Sequence, residues 1–296
     1  PGAAAGPQPG RGRPRLLQGA KIAGPLIPAW SEPFAKAAPA TGPVLGLPIT
    51  WAWAVGNSTG AGVTVAVVDS GVDASHPRVG TVEGGAVITY DPRLPSSVRV
   101  DEQPHQDLFG HGTACAGIAR ELAPDCDILS VRVLGKRLTG KTTCIVAGVR
   151  WALAHGARVI NLSLSTSLTD RAAMWHQVAD ECYFKQALLV CAANNLPGPT
   201  FPAQFASVIS VACHPGSDPR ALAYNPEPPV EFGARGLDVE VAWARGTVIT
   251  ASGNSFAAAH VSGLVALILQ RHPECTPFDV KTILRGLAAE QQAIQT

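Results

Sequence analysis

A serine, a histidine and an aspartate in this chain stand in settings that suit nucleophilic catalysis. Ser255 lies in GNSFAAAHVSGLVALILQ (Gly253 to Gln270), where small residues lead directly into a long apolar run. Gly253 is expected to let the chain turn tightly and Asn254 to cap the following helix. That places Ser255 at the positive end of a helix dipole, where a developing oxyanion is stabilised. Read alone, Ser255 could equally be a capping residue of a core helix. Asp69 ends the β-branched run in GVTVAVVDSGVDASHP. A carboxylate at the carboxyl end of a buried strand sits where open α/β sheets place ligands, although such an aspartate also makes ordinary Asx turns. His111, between Gly110 and Gly112 in FGHGTACAGIAREL, is open to approach by other backbone; the alternative is a satisfied core histidine or a helix cap. Together the three supply a nucleophile, its general base and a carboxylate to orient the base, which is serine-hydrolase chemistry.

Taken in chain order, VVDSGVD, GHGTACAG and GNSFAAAHVSG resemble the motifs of the subtilisin-like serine proteases, and the similarity runs from about Val44 to about Leu287. The resemblance implies that Ser255 is the nucleophile, His111 the base and then the acid, and Asp69 the group that fixes the imidazole tautomer. It also implies an oxyanion-binding asparagine. The matching stretch is Ala192-Ala193-Asn194-Asn195, whose register points to Asn195; a slip of one would make it Asn194. Asn194 would then take a glycine position, tolerable because asparagine enters left-handed backbone readily. INLSLSTS resembles the strand that pairs with extended substrate, so Ser163, Leu164 and Ser165 are expected to contact substrate backbone. Ser165 replaces a usual glycine and should narrow the primary pocket, with Cys191 to Asn195 as a wall and Thr200 near the floor. Phe109 takes the place of a carboxylate found in proprotein convertases, which argues against dibasic cleavage. Lys136, Arg137 and Lys141 in VLGKRLTGK would favour acidic groups at distant subsites or form a solvated basic loop. Phe256 replaces the family's methionine beside the nucleophile. His260 is read as a packing residue.

The elements that must position these residues alternate along the chain. Strand-like runs near Val63–Asp69, Ala86–Tyr90, Ile128–Val133, Arg158–Ser163, Ala187–Ala193 and Val208–Cys213 are interleaved with helical patterns near Gly112–Glu121, Thr143–His155, Thr169–Phe184, Asn254–Arg271 and Pro277–Leu287. Such alternation predicts an α/β fold with a mostly parallel central sheet between helical layers, the three-layer arrangement that the resemblance also implies. Residues 1–43, rich in Pro, Gly and Ala, read as an arm or linker, and 44–296 as the peptidase domain. Because the chain begins at Pro1, it reads as a processed or excised piece.

With 296 residues, 46% of them hydrophobic and 15% charged, the chain can bury a large core. A net charge of +1 with scattered basic residues gives no support to nucleic-acid binding. No apolar run approaches the roughly 20 residues needed to span a bilayer. The seven cysteines form an odd set without paired spacing, which favours free thiols and a cytoplasmic over a secreted setting. Cys115 follows His111 by one helical turn, so bulky thiol reagents or mercury should act by disturbing His111. No Cys or His spacing supports a metal site, and GIARELAPDCDILSV leaves no room for the calcium-binding loop of many subtilisins; Asp125 and Asp127 read as loop carboxylates. No cofactor is implied. The expected partner is a polypeptide substrate, cleaved by a general or a precursor-maturation protease. The alternative is a catalytically silent relative that binds peptide.

Overall fold

The computed structural model describes residues 49–295; the arm assigned to residues 1–43 lies outside them. Among the described residues, nine strands form one sheet in the order β3-β2-β4-β1-β5-β6-β7-β9-β8. These are β1 (Thr64–Asp69), β2 (Gly84–Tyr90), β3 (Val98–Asp101), β4 (Asp127–Arg132), β5 (Val159–Leu162), β6 (Leu188–Ala192), β7 (Ile209–His214), β8 (Leu222–Tyr224) and β9 (Phe232–Arg235). Pairing is parallel through the centre and antiparallel only where β3 meets β2 and β8 meets β9 at the two edges. A separate hairpin joins β10 (Val239–Trp243) to β11 (Thr247–Ala251). The helices are α1 (Trp51–Ala54), α2 (His111–Leu122), α3 (Thr142–Ala154), α4 (Ala172–Phe184), α5 (Asn254–Arg271) and α6 (Pro277–Gln295).

Strand periodicity decides which layer each side chain enters. Val65 and Val67 of β1 join the core shared with α2, α5 and α6, whereas Ala66 and Val68 join the core beneath α3 and α4. Both faces of the central strands are covered, which is why these strands read as continuous apolar runs rather than as alternating ones. α5 is buried from Phe256 through Leu269, as its all-round apolar sequence predicts. None of the described helices is long and apolar enough to cross a membrane.

The helix predicted from Thr169 opens as a 3-10 turn at Thr169–Arg171 before α4 begins. α6 runs past the predicted Leu287 to Gln295. Its polar end is held by Glu290, whose carboxylate accepts from the Trp51 amide, and by Gln291, whose side-chain oxygen accepts from Leu222 N. Asp127, expected in a loop, is the first residue of β4, while Asp125 stays in the turn before it.

Candidate active site

The site gathers where β1, β5 and β6 end and α2 and α5 begin. Asp69 is the last residue of β1 and is fully buried. His111 is the first residue of α2. Gly110, just before it, has φ 117°, and a Cβ there would lie 2.8 Å from the Trp243 ring, so the approach to the histidine needs glycine. Gly112, just after it, would carry a Cβ only 2.1 Å from the Gly71 carbonyl oxygen and 3.1 Å from Asp69 Cβ. The two glycines thereby let α2 dock directly on the turn that follows β1.

His111 Nδ1 lies 2.9 and 2.8 Å from the two Asp69 carboxylate oxygens. Asp69 Oδ1 also accepts from the Ser70 amide at 2.7 Å. Burial alone would lower the pKa of the imidazole, but the charge and hydrogen bond of Asp69, with Asp107 behind, outweigh it and raise the pKa. The His111 ring centre is 6.0 Å from that of Phe256, the neighbour of Ser255. Asp69 and His111 are thus in direct contact, and the ring of the residue after Ser255 lies near the imidazole. The Ser255 hydroxyl itself donates to the Ser163 carbonyl at 3.0 Å.

Asn254 does not cap α5. Gly253 occupies the cap position in extended backbone, so the expected tight turn is absent and a Cβ there would meet only ordinary contacts, Asn195 Nδ2 at 3.9 Å among them. The Asn254 side chain instead accepts from Cys213 N and donates to the carbonyls of Ala193 and Asn194. It therefore ties the start of α5 to the ends of β6 and β7. The amide at the helix start is served by Asn195, whose Oδ1 accepts from Asn254 N at 3.0 Å. Asn194 turns away, its Oδ1 accepting from Leu196 N and its own amide donating to Thr200 Oγ1. The two asparagines thus differ in their contacts, Asn195 holding the amide of the residue before Ser255 and Asn194 its own loop. Asn194 is not among the residues of positive φ, so the expected left-handed backbone is not what accommodates it.

Ser163 leaves the sheet one residue past the end of β5, earlier than the strand predicted to include it. Among the described residues, Leu164 and Ser165 make no backbone–backbone hydrogen bond before Thr166 bridges Phe201. Thr200 is buried behind Asn194. Phe109 meets Trp243 edge to face at 5.5 Å, and both line a cleft of about 710 Å³ together with Asp73, Asp107, Lys136 and Arg245.

Three supporting residues escaped the sequence reading. Asp107 accepts from Ser70 Oγ, from the amides of Phe109, Gly110 and Thr113, and from Thr113 Oγ1, which fixes the loop before His111. Buried Asn161 donates to Ser163 Oγ and accepts from Ser262 Oγ, while Ser163 Oγ donates to the Ser255 carbonyl. A polar residue inside an apolar run was the available signal for Asn161 and Ser262. His260 is buried with Nδ1 on the Phe256 carbonyl, the packing role expected for it. Cys115 completes a cluster with Asp69 and His111 whose possible ligand atoms lie within 4.8 Å of one another. Burial pushes this thiol well up and His111 Nδ1 is already committed to Asp69, so the donor set does not suit a resident metal.

Residues 60–295 match the model of the subtilase family, described as Peptidase S8. The chain belongs to the subtilase family. It is 32% identical to Subtilisin E of Bacillus subtilis (strain 168) over 245 residues, covering 78% of this chain and 61% of that protein. The Subtilisin of Bacillus pumilus is also 32% identical, over 78% of this chain and 85% of that one. Among solved structures, a cold adapted subtilisin-like serine proteinase superposes with a TM-score of 0.65 at 28% identity, over 77% of this chain and 83% of its own. The subtilase fold read from the sequence is therefore the fold of this chain.

Proposed function

We propose that this chain is a serine endopeptidase that hydrolyses extended polypeptide through an acyl-enzyme, as a general protease or in the maturation of a precursor. The contact between buried Asp69 and His111 Nδ1 carries the reading. It holds the proton on Nδ1 and leaves Nε2 as the basic nitrogen. Family membership and the subtilisin relatives support the same activity.

In the proposed reaction Ser255 Oγ bonds to the scissile carbonyl carbon while its proton passes to His111 Nε2. The resulting oxyanion is received by Asn195 Nδ2 and by the Ser255 amide, which lies in the first helical turn and has no intrahelical partner. His111 then returns the proton to the leaving amine as the C–N bond breaks. Water, deprotonated by His111, releases the new carboxylate and restores Ser255. Because Ser255 Oγ rests on the Ser163 carbonyl, rotation of the serine side chain precedes attack.

Extended substrate would pair with the free backbone of Leu164 and Ser165, alongside Ser163, with Thr200 at the floor of the primary pocket. In the cleft beside Phe109 and Trp243, Lys136 and Arg245 have no ionic partner among the described residues and would favour acidic side chains, opposed by the charges of Asp73 and Asp107 in the same lining. The cysteines, all free, suit action in a reducing compartment such as the cytoplasm. A fluorophosphonate probe should label the wild type and not Ser255→Ala; a wild-type protein that binds peptide yet takes no label would make this a peptide-binding domain instead.

A further inference from the structure

The parallel ladder between β6 and β7 is interrupted one rung beyond the end of β6. Ala193 N donates to the Val211 carbonyl at 2.8 Å, and in a parallel pair the next bond would run from Cys213 N back to the Ala193 carbonyl. Asn254 takes that rung. Cys213 N donates to Asn254 Oδ1 at 2.9 Å, and Asn254 Nδ2 donates to the Ala193 carbonyl at 3.1 Å. A side-chain amide offers the same donor and acceptor as a peptide group, so Asn254 stands between the strands as an inserted peptide unit. Its second N–H reaches the Asn194 carbonyl at 3.2 Å.

That third contact closes a ring of bonds. The Asn194 carbonyl belongs to the peptide group that joins Asn194 to Asn195, while the backbone amide of Asn254 donates to Asn195 Oδ1 at 3.0 Å. Asn195 is therefore held at its main chain and at its side chain by one residue, the neighbour of Ser255. Because the Asn254 backbone group is a donor, it decides which end of the Asn195 side chain faces it. Oδ1 turns towards α5, and Nδ2, with no hydrogen-bond partner among the described residues, is left for an acceptor. A donor to an oxyanion is effective when it is held in place before the charge develops.

We propose that Asn254 is the positioning residue of the oxyanion site, aiming Asn195 Nδ2 through both contacts without itself touching substrate. The inference rests on the reading of Ser255 as nucleophile and Asn195 as oxyanion donor. It requires an amide at position 254. A methyl group there leaves the rung open, and a carboxylate keeps the acceptor for Cys213 N but faces the carbonyls of Ala193 and Asn194 with no proton to give.

The test is a double-mutant cycle on the whole chain with Asn254→Ala, Asn195→Ala and the two combined, each assayed on a peptide substrate well below its own Tm. Asn254→Ala should lower kcat about 100-fold with KM nearly unchanged. It should weaken by the same factor the binding of a peptide aldehyde, whose hemiacetal oxygen takes the oxyanion position. In the Asn195→Ala background the further loss should be less than about threefold, since residues that act as a unit are not additive. Asn254→Asp, which retains the bond to Cys213 N, should behave alike and carries the same cycle if the alanine variant does not fold. Losses that multiply, a loss confined to KM, or an aldehyde affinity that does not follow kcat would overturn the proposal. A wild type that takes no fluorophosphonate label would instead remove the peptidase reading, and this inference with it.

Discussion

At the scale of single residues, the proposed chemistry hangs on what faces the Ser255 hydroxyl. Asn195→Ala should lower turnover by roughly two to three orders of magnitude with little change in KM, the loss shown by the oxyanion asparagine of this family. Full turnover in that variant, measured by steady-state kinetics, would remove Asn195 from the site. The pH dependence follows from His111. Its neutral form is the base, and its pKa is raised above the ordinary histidine value by Asp69 and Asp107 against the opposing effect of burial. Turnover should therefore rise with pH through a midpoint above about 6.5. Asp69→Asn should cost about four orders of magnitude by losing the tautomer, and the kcat profile should show it. Phe256 removes the thioether from beside the nucleophile, and the chain has a single methionine, Met174. Activity should survive dilute peroxide; rapid loss with the thiols still reduced would contradict this.

At the scale of elements, the docking of α2 on the β1 turn sets the distance between Asp69 and His111. Gly112→Ala places a methyl group 2.1 Å from the Gly71 carbonyl oxygen, and neither backbone can move without displacing Asp69 or His111. The variant should be destabilised by about 3 kcal/mol and lose peptidase activity, as thermal unfolding and a peptide assay would show. Much of this architecture was legible in the sequence. α5 was readable to its ends because an apolar run is bounded by Gly253 and Pro273, and the central strands were readable as β-branched runs covered on both faces. β3, β8, β9, β10 and β11 were not: each is only three to five residues long, so that even where alternate residues are buried, as in β9 and β10, the run is too short to stand out, and β3 and β11 are largely exposed. The same contrast holds in the site. Ser255, His111 and Asp69 announce themselves through neighbouring glycines and small residues, whereas the bond from Ser262 to Asn161 spans 101 positions and has no local cue. Asn254 was misread because its side chain satisfies strand ends that adjoin it only in space.

At the scale of the whole molecule, stability should depend on acid through His260. Burial, with help from Arg235 and against its bond to the Phe256 carbonyl, lowers its pKa to about 4. The unfolded chain therefore binds a proton near pH 6.5 that the folded chain refuses until about pH 4. Stability falls across that window as pH drops, by up to about 3 kcal/mol. His111, with its raised pKa, does not add to this slope, because both folded and unfolded states are protonated there below about 6.5. Tm measured from pH 7 to 4 should fall less in His260→Met than in the wild type. The thiols offer a second measure of the whole fold: of seven free cysteines, only Cys213 is not buried, and burial lifts Cys182 to about 12 and Cys126 to about 11. Ellman's reagent should find little to react with in the native protein and seven groups once it is unfolded. The fold thus shields from oxygen a set of sulfurs that nothing ties together. Opened by heat in air, the chain would scramble those sulfurs into bridges with no native counterpart, and an odd number leaves one to couple with a neighbouring molecule. Its loss of activity on heating should then be a one-way process whose half-life lengthens with reductant.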